Sequence, residues 1–450
     1  MRGRAFLPLH CARLAHDARP MSQDLVQFHP RRSTSLRLLV VLAVAWASTS
    51  EARAAGTVWI GTWAATPQPP PAGSVERYED QTLRLVVRVS AGGAQLRLRF
   101  SNAYGTVPLH LGAVHVARRS RGADIDSATD RRVTFSGREG VTVPAGATAV
   151  SDPVPLSVPA LSELAVSLYL PEATEARTSH LLALRTSYAA AGNAVASAQL
   201  PAAQPLDSWP FLGGVDVEAP RGAAALVAFG DSQVDGDGST ADTDRRWPDV
   251  LAERLQRRRP PGAPRGVLNA GLIGNRLLRD GPSAQSHPVG PALGPAALAR
   301  FERDVLLQPG VRYAIVRLGI NDIGLPGCIA PESERVSAEA LIAGFRELVT
   351  RAHRRGIRLV GTTLSPFEGA VGPKPGYFSP EKERVRVQVN AWLRGGHTGF
   401  DAVVDFDALL RDPEHPARLL PRYDSGDHLH PNDAGYAVLG EAFPLALFGT

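Results

Sequence analysis

An all-β sandwich followed by an α/β domain built on a parallel sheet is the architecture this chain forecasts. Three observations carry that expectation. Between Gly56 and about Leu200, short apolar alternations are broken by Gly, Pro and Ser clusters, the rhythm of a sandwich of jelly-roll type. From Gly222 onward, apolar runs alternate with segments of helical spacing, which implies parallel strands covered on both faces by helices. Ahead of both, residues 1–54 read as a leader and signal peptide.

In the leader, Arg31, Arg32 and Arg37 precede an apolar run from Leu38 to Ala47, and Ala52-Arg53-Ala54 follows. A positive flank, a short apolar run and a small-residue cleavage site are the parts of a secretory signal. The expected location is therefore secreted or periplasmic. Because the run is too short to span a bilayer comfortably, no stable membrane insertion is expected after signal cleavage. The only methionines are Met1 and Met21, and the long polar prelude suggests that translation starts at Met21.

The whole chain has 450 residues, 44% of them hydrophobic and 21% charged, an ordinary globular mixture that excludes a disordered or multi-span membrane protein. Its formal net charge of +5 comes from the leader. Taking the eight Arg and three acidic residues of positions 1–54 from totals of 49 and 44 leaves 41 of each sign. A nucleic-acid partner thereby loses its electrostatic basis. Cys11 leaves with the leader, so Cys328 stands alone and no intramolecular disulfide is available to the mature chain. A small buried hydrophobe is the expected role of Cys328.

Within residues 56–200, Leu83, Leu85, Val87 and Val89 alternate with other side chains, as do Leu96, Leu98 and Phe100. Ala91-Gly92-Gly93 lies between them, so the two runs are expected to form a hairpin. Val114–Ala117, Arg131–Phe135, Val141–Val143 and Leu164–Leu170 supply further strands. Trp59, Trp63, Tyr78 and Tyr104 are scattered, and burial explains them as well as sugar binding does. Residues 201–221, rich in Pro, Gly and Asp, read as a packed interdomain connection.

Residues 222–450 form the expected catalytic domain. Five strand candidates occur in it: Ala225–Phe229, Val267–Asn269, Tyr313–Leu318, Arg358–Leu364 and Ala402–Phe406. Trp247, Val250, Leu251 and Leu255 share one helical face, and so do Leu341, Phe345 and Leu348, with Ser337 and Gly356 at the ends of that helix. In sheets of this kind ligands sit at the carboxyl ends of the strands. There the chain places Gly230-Asp231-Ser232, then Asn269 through Asn275, then Gly319-Ile320-Asn321-Asp322, and shortly after the fifth strand Asp427-His428-Leu429-His430.

These residue types suit acyl transfer. A serine hydroxyl needs an adjacent base, and His430 can take its proton while Asp427 holds the imidazole. The oxyanion can be met by the N–H groups of Ser232 and Gly274 and by the Asn321 amide. Each piece alone has a plainer reading: Asn321-Asp322 as a cap, Gly274 as a turn, Asp427 and His430 as a polar loop. His428 competes with His430, and Asp405 and Asp433 compete with Asp427.

Taken together, the blocks resemble the GDSL-type esterases and lipases of the SGNH hydrolase superfamily. Ser232, Gly274, Asn321 and the Asp427/His430 pair match the four blocks in order, and the likeness covers about residues 222–446. It implies a three-layer flavodoxin-like SGNH hydrolase domain, an acyl-serine mechanism with Ser232, Asp427 and His430 catalytic, and an oxyanion hole of Ser232, Gly274 and Asn321. Gln233-Val234 departs from the usual residues after the serine, which is expected to alter a pocket wall. The region from Trp59 to Trp63 resembles the amino-terminal β-domain of a secreted two-domain subgroup, which points to short acyl or acetyl esters of carbohydrates or aryl alcohols. A lipase-like or polyester-hydrolysing enzyme for longer chains is the alternative, and a catalytically idle polysaccharide-binding protein is another. No cofactor is expected. No metal site is expected either, because His353, His397 and His415 lack partners at ligand spacing.

Overall fold

The computed structural model describes residues 56–258 and 263–449. The leader, Cys11 and both methionines lie outside the described residues.

The first part is a pair of antiparallel sheets facing one another. Its main strands are β1 (Thr57–Ala64), β2 (Gln81–Arg88), β3 (Leu96–Ser101), β4 (Ala113–Arg121), β5 (Thr148–Val150), β6 (Glu163–Leu170), β7 (Ser187–Ala191), β8 (Gln204–Leu206) and β9 (Leu212–Pro220). One sheet has the order β1-β9-β3-β5, and the other runs β8-β7-β2-β6-β4 with short strands beyond. Leu83, Leu85 and Val87 of β2 meet Leu96, Leu98 and Phe100 of β3 in one apolar core, with Val166 of β6 and Val217 of β9.

Two expectations fail here. The runs containing Leu83 and Leu98 are not a hairpin, because β2 and β3 belong to different sheets. Gly93 instead exchanges two backbone hydrogen bonds with Val158, at 3.0 and 2.9 Å, so the glycine segment carries the chain from one sheet to the other. Residues 201–221 are not merely a connection either. They contain β8 and β9, and β9 is an inner strand between β1 and β3. Its Val215, Val217 and Ala219 enter the core, while the intervening Asp216 is fully buried against Arg97 and Arg99. A register shift between Leu212 and Gly214 interrupts the alternation, which is why the composition alone suggested a linker.

The second part is the expected three-layer α/β domain. Its strands are β10 (Ala224–Gly230), β11 (Arg265–Ala270), β12 (Val311–Arg317), β13 (Arg358–Thr362) and β14 (Ala402–Val404). All pairings are parallel and the order is β11-β10-β12-β13-β14, the flavodoxin-like arrangement. The helices are α1 (Ser232–Asp235), α2 (Trp247–Arg257), α3 (Ala297–Phe301), α4 (Ile320–Gly324), α5 (Ala338–Arg354), α6 (Pro380–Arg394), α7 (Phe406–Leu410) and α8 (Asp433–Glu441). Every residue of β10 is buried because both faces are covered. Ala225, Val227 and Phe229 pack toward α3, α5 and α6. Ala224, Leu226 and Ala228 pack toward α2, α7 and α8. Ser337 caps α5 by accepting the Ala340 N–H, as its position predicted.

The β part covers the outer strand of this sheet. The Ser90 hydroxyl accepts the Val267 N–H at 2.8 Å and lies 3.0 Å from the Val267 carbonyl. Gly266 admits the neighbouring backbone: a Cβ there would fall 1.9 Å from the Gly61 carbonyl oxygen. Among the described residues, no helix is long and apolar enough to cross a membrane.

Candidate active site

Strand order reverses between β10 and β12, and in open α/β sheets ligands bind beyond the strand ends at such a point. Gly230 ends β10 because nothing larger fits: a Cβ would meet both the Arg317 carbonyl oxygen and Val234 Cγ2 at 2.3 Å. Asp231 then caps α1 by accepting the Gln233 N–H at 3.1 Å. This sharp strand-to-helix turn puts Ser232 at the first helical position, where a backbone N–H has no acceptor within the helix.

Ser232 Oγ lies 2.8 Å from His430 Nε2, although 198 positions separate the residues in the chain. His430 Nδ1 lies 2.5 Å from Asp427 Oδ2. The other carboxylate oxygen of Asp427 accepts the N–H groups of Leu429 and His430 at 2.9 and 2.8 Å and the Ser425 hydroxyl at 3.0 Å. Burial alone would raise the Asp427 carboxyl, but these donors and the His430 ring hold it well below the usual carboxylate range. Burial alone would lower the His430 imidazole. The hydrogen bond with Asp427 and the charges of Asp237, Asp427 and Asp231 outweigh it and raise the ring above its ordinary value.

The rivals lie elsewhere. His428 is bonded to Asp424 at 2.6 Å and its side chain is half exposed. Asp405 caps α7 and binds Thr363 and Arg394. Asp433 opens α8 and accepts the Thr240 N–H.

On the other side of Ser232, the loop after β11 turns through Gly274, whose φ of +65° favours glycine. The Leu272 N–H donates to the Gly230 carbonyl at 3.1 Å, bringing this loop against the Ser232 turn. The Asn321 amide nitrogen donates to the Asn275 carbonyl at 3.1 Å, so α4 reaches the same loop. Asn321 is no helix cap; Gly319 holds that position. Asp322, beside it, accepts the N–H groups of Leu277 and Leu278 at 2.6 and 2.9 Å, and burial raises its carboxyl to about 6.

Several residues of the site escaped the sequence reading. The Tyr377 hydroxyl donates to Asn321 Oδ1 at 2.8 Å, which fixes which end of that amide points as a donor. Lys382 donates to the carbonyls of Gly324 and Pro326, each at 2.7 Å, and to those of Gly376 and Tyr377, clamping the segments that carry Asn321 and Tyr377. Arg300 joins the strand ends, donating to the carbonyls of Gly230 and Ala270 at 2.6 and 3.0 Å and to Asn275 Oδ1 at 2.9 Å. Arg317 pairs with Asp231 at 3.1 Å, both side chains fully buried. Gln233, expected at a pocket wall, is instead 1% exposed. Its amide donates to the Leu429 carbonyl at 2.7 Å and its oxygen accepts from Arg317 and Ser365, so it ties the Ser232 turn to the His430 loop. The β part also reaches α1: His180 bridges Asp235 and the Thr66 carbonyl, each at 2.9 Å. Two of these had a visible signal, Arg317 as a charge inside an apolar strand and Lys382 as one of two lysines in the chain.

Trp63 and Tyr78 are buried, Trp63 edge-on to Trp209 at 5.0 Å, so neither joins a sugar platform. Cys328 is half-buried rather than a core residue, with Sγ 2.9 Å from the Lys374 carbonyl.

Solved structures similar to this chain include an acetyl xylan esterase from Geobacillus stearothermophilus, 22% identical, with a TM-score of 0.35 over 50% of this chain and 94% of that one. An inhibitor-bound aryl esterase from M. smegmatis is 20% identical, with a TM-score of 0.34 over 48% and 94%. A GDSL-like lipase from Bacteroides thetaiotaomicron is 15% identical, with a TM-score of 0.33 over 50% and 88%. Among curated proteins none matches this chain. The sequence pattern of the GDSL-like lipase/acylhydrolase family matches residues 228–438, a span that holds Ser232, Gly274, Asn321, Asp427 and His430. Residues 228–438 therefore carry a GDSL-like lipase/acylhydrolase domain.

Proposed function

We propose that the protein is an exported carboxylic-ester hydrolase that works through an acyl-serine intermediate on Ser232. One observation carries this reading: the continuous chain of hydrogen-bonding atoms from Ser232 Oγ through His430 to Asp427, at 2.8 and 2.5 Å. Ser232 Oγ attacks the acyl carbon while His430 Nε2 takes its proton, and Asp427 stabilises the resulting imidazolium. Negative charge gathers on the carbonyl oxygen, where the N–H groups of Ser232 and Gly274 and the Asn321 amide donate to it. The intermediate collapses, the alcohol leaves with the proton from His430, and the acyl group stays on Ser232. Water then attacks that ester, giving its proton to His430, and the acid departs. Export is supported by the signal-peptide pattern before Gly56. Short acyl groups on carbohydrates or aryl alcohols are the substrates favoured by the resemblance of residues 59–63 to the two-domain subgroup.

Hydrolysis of p-nitrophenyl acetate by the intact protein tests the nucleophile. Ser232→Ala should fold normally yet lose turnover by about 10⁴-fold or more, and a fully active variant removes Ser232 from the mechanism. A series of p-nitrophenyl esters tests the acyl group. Rates should fall steeply beyond butyrate; a maximum at octanoate or longer would replace this reading with a lipase-like one.

A further inference from the structure

Asp237 follows α1 in a tightly held turn. Its N–H donates to the Ser232 carbonyl at 3.0 Å, and the Tyr436 hydroxyl donates to its own carbonyl at 2.5 Å. The backbone is thus pinned to the nucleophile turn on one side and to α8 on the other. Its carboxylate is treated differently. Among the described residues its carboxylate has no hydrogen-bond donor; the basic group within 4 Å of it is the His430 ring, whose Nε2 lies 3.7 Å from Oδ2. That separation is too long for a hydrogen bond. The side chain is 34% exposed, so a rigidly placed acceptor stands open beside the point of proton transfer without joining it.

We propose that Asp237 is a substrate-binding residue that accepts a hydrogen bond from a hydroxyl on the alcohol part of the ester, on the carbon adjacent to the one that bears the ester oxygen. The enzyme thereby selects polyol and sugar esters over esters of monohydric alcohols. This rests on the assignment of Ser232 and His430 above. To receive its proton, the leaving oxygen must come within hydrogen-bond reach of His430 Nε2. The alcohol part therefore passes the Asp237 carboxylate, while the acyl oxygen faces the donors on the opposite side of Ser232. An ionised carboxylate only accepts, so it matches a hydroxyl and not an ether or a carbonyl. Hydrogen bonds of this charged kind are the stronger ones. The same charge repels an alcohol that itself carries a carboxylate. Asp237 makes and breaks no covalent bond.

Two acetates that differ by one hydroxyl test this: trans-2-hydroxycyclohexyl acetate and cyclohexyl acetate, given to the intact protein. The wild type should favour the hydroxylated ester in kcat/KM by at least about tenfold. Asp237→Ala should bring that ratio close to one. Asp237→Asn, which keeps the shape and an acceptor oxygen but not the charge, should fall between. A wild-type ratio near one overturns the inference. So does a ratio unchanged in Asp237→Ala while both rates fall together, which would make Asp237 a group acting through His430 alone. Ser232→Ala separates the two levels. If it still cleaves both esters, the nucleophile assignment falls and this inference with it. If it is inactive, a wild-type ratio near one removes the inference alone.

Discussion

The two flanks of Ser232 are built in opposite ways. On the flank proposed for proton transfer, Asp427 and His430 sit three residues apart in one loop, held mainly by that loop's own N–H groups, and the Asp427 side chain is 38% exposed. On the flank proposed for the oxyanion, Asn321 is 4% exposed and its supports Tyr377, Asp322 and Lys382 are buried as well. Asp322 adjoins Asn321 in α4, Tyr377 precedes α6 and Lys382 lies in its first turn, and Arg300 joins the adjacent strand ends. The difference suits the roles proposed for the two flanks. Donors that stabilise a developing oxyanion work best when they are fixed beforehand in a dry setting. The proposed base, His430, is itself only 8% exposed, so it is Asp427 that meets water on this flank.

Breaking the exposed flank should have the largest effect. Asp427→Asn removes the charge opposite the imidazolium and disturbs the tautomer, so kcat for p-nitrophenyl acetate should fall by about 10⁴-fold; a loss under tenfold would mean another group orients His430. Next comes the buried flank itself. Asn321→Ala should lower kcat by about 10²–10³-fold, and a change confined to KM would place Asn321 outside the oxyanion hole. Tyr377→Phe keeps the ring, which packs on Phe367, and removes only the hydroxyl that orients Asn321. It should cost about tenfold in kcat; lower melting temperature with kcat untouched would leave Tyr377 a purely structural residue. The smallest effect is a shift in pH. His430 accepts a proton only when neutral, and Asp427, Asp237 and Asp231 raise its ring above the ordinary value. Activity should therefore fall on acidification with a midpoint above about 6.5, and an acid limb below that value contradicts the raised ring.

The same contrast explains what could be read from the chain. Ser232, Gly274 and Asn321 lie in short blocks at or just after the ends of apolar strands, where the rule for parallel sheets looks for a site, whereas Asp427 and His430 were preferred to their rivals on the family resemblance. The parallel strands themselves were legible because both faces are buried and the runs are unbroken. The bracing was not. Arg317 meets Asp231 across 86 positions, Arg300 meets Gly230 across 70, and Tyr377 meets Asn321 across 56; no local period marks such pairs. Gln233 looked like a variation in a pocket lining because its partner Leu429 lies 196 positions away. In the β part, strands were visible but their partners were not, since pairing depends on contacts distant in sequence. Hence the mistaken hairpin, and hence the linker that holds an inner strand.

The contact of Ser90, Gly61 and Gly266 has a consequence for how the molecule can be divided. An open sheet ends in a row of unsatisfied peptide groups that invites another chain to add on. Here the neighbouring sandwich occupies part of that margin, hydroxyl against peptide and backbone against backbone. The boundary between the two cores is therefore no line for trimming: the sandwich shields the flank of the hydrolytic part against unwanted strand addition.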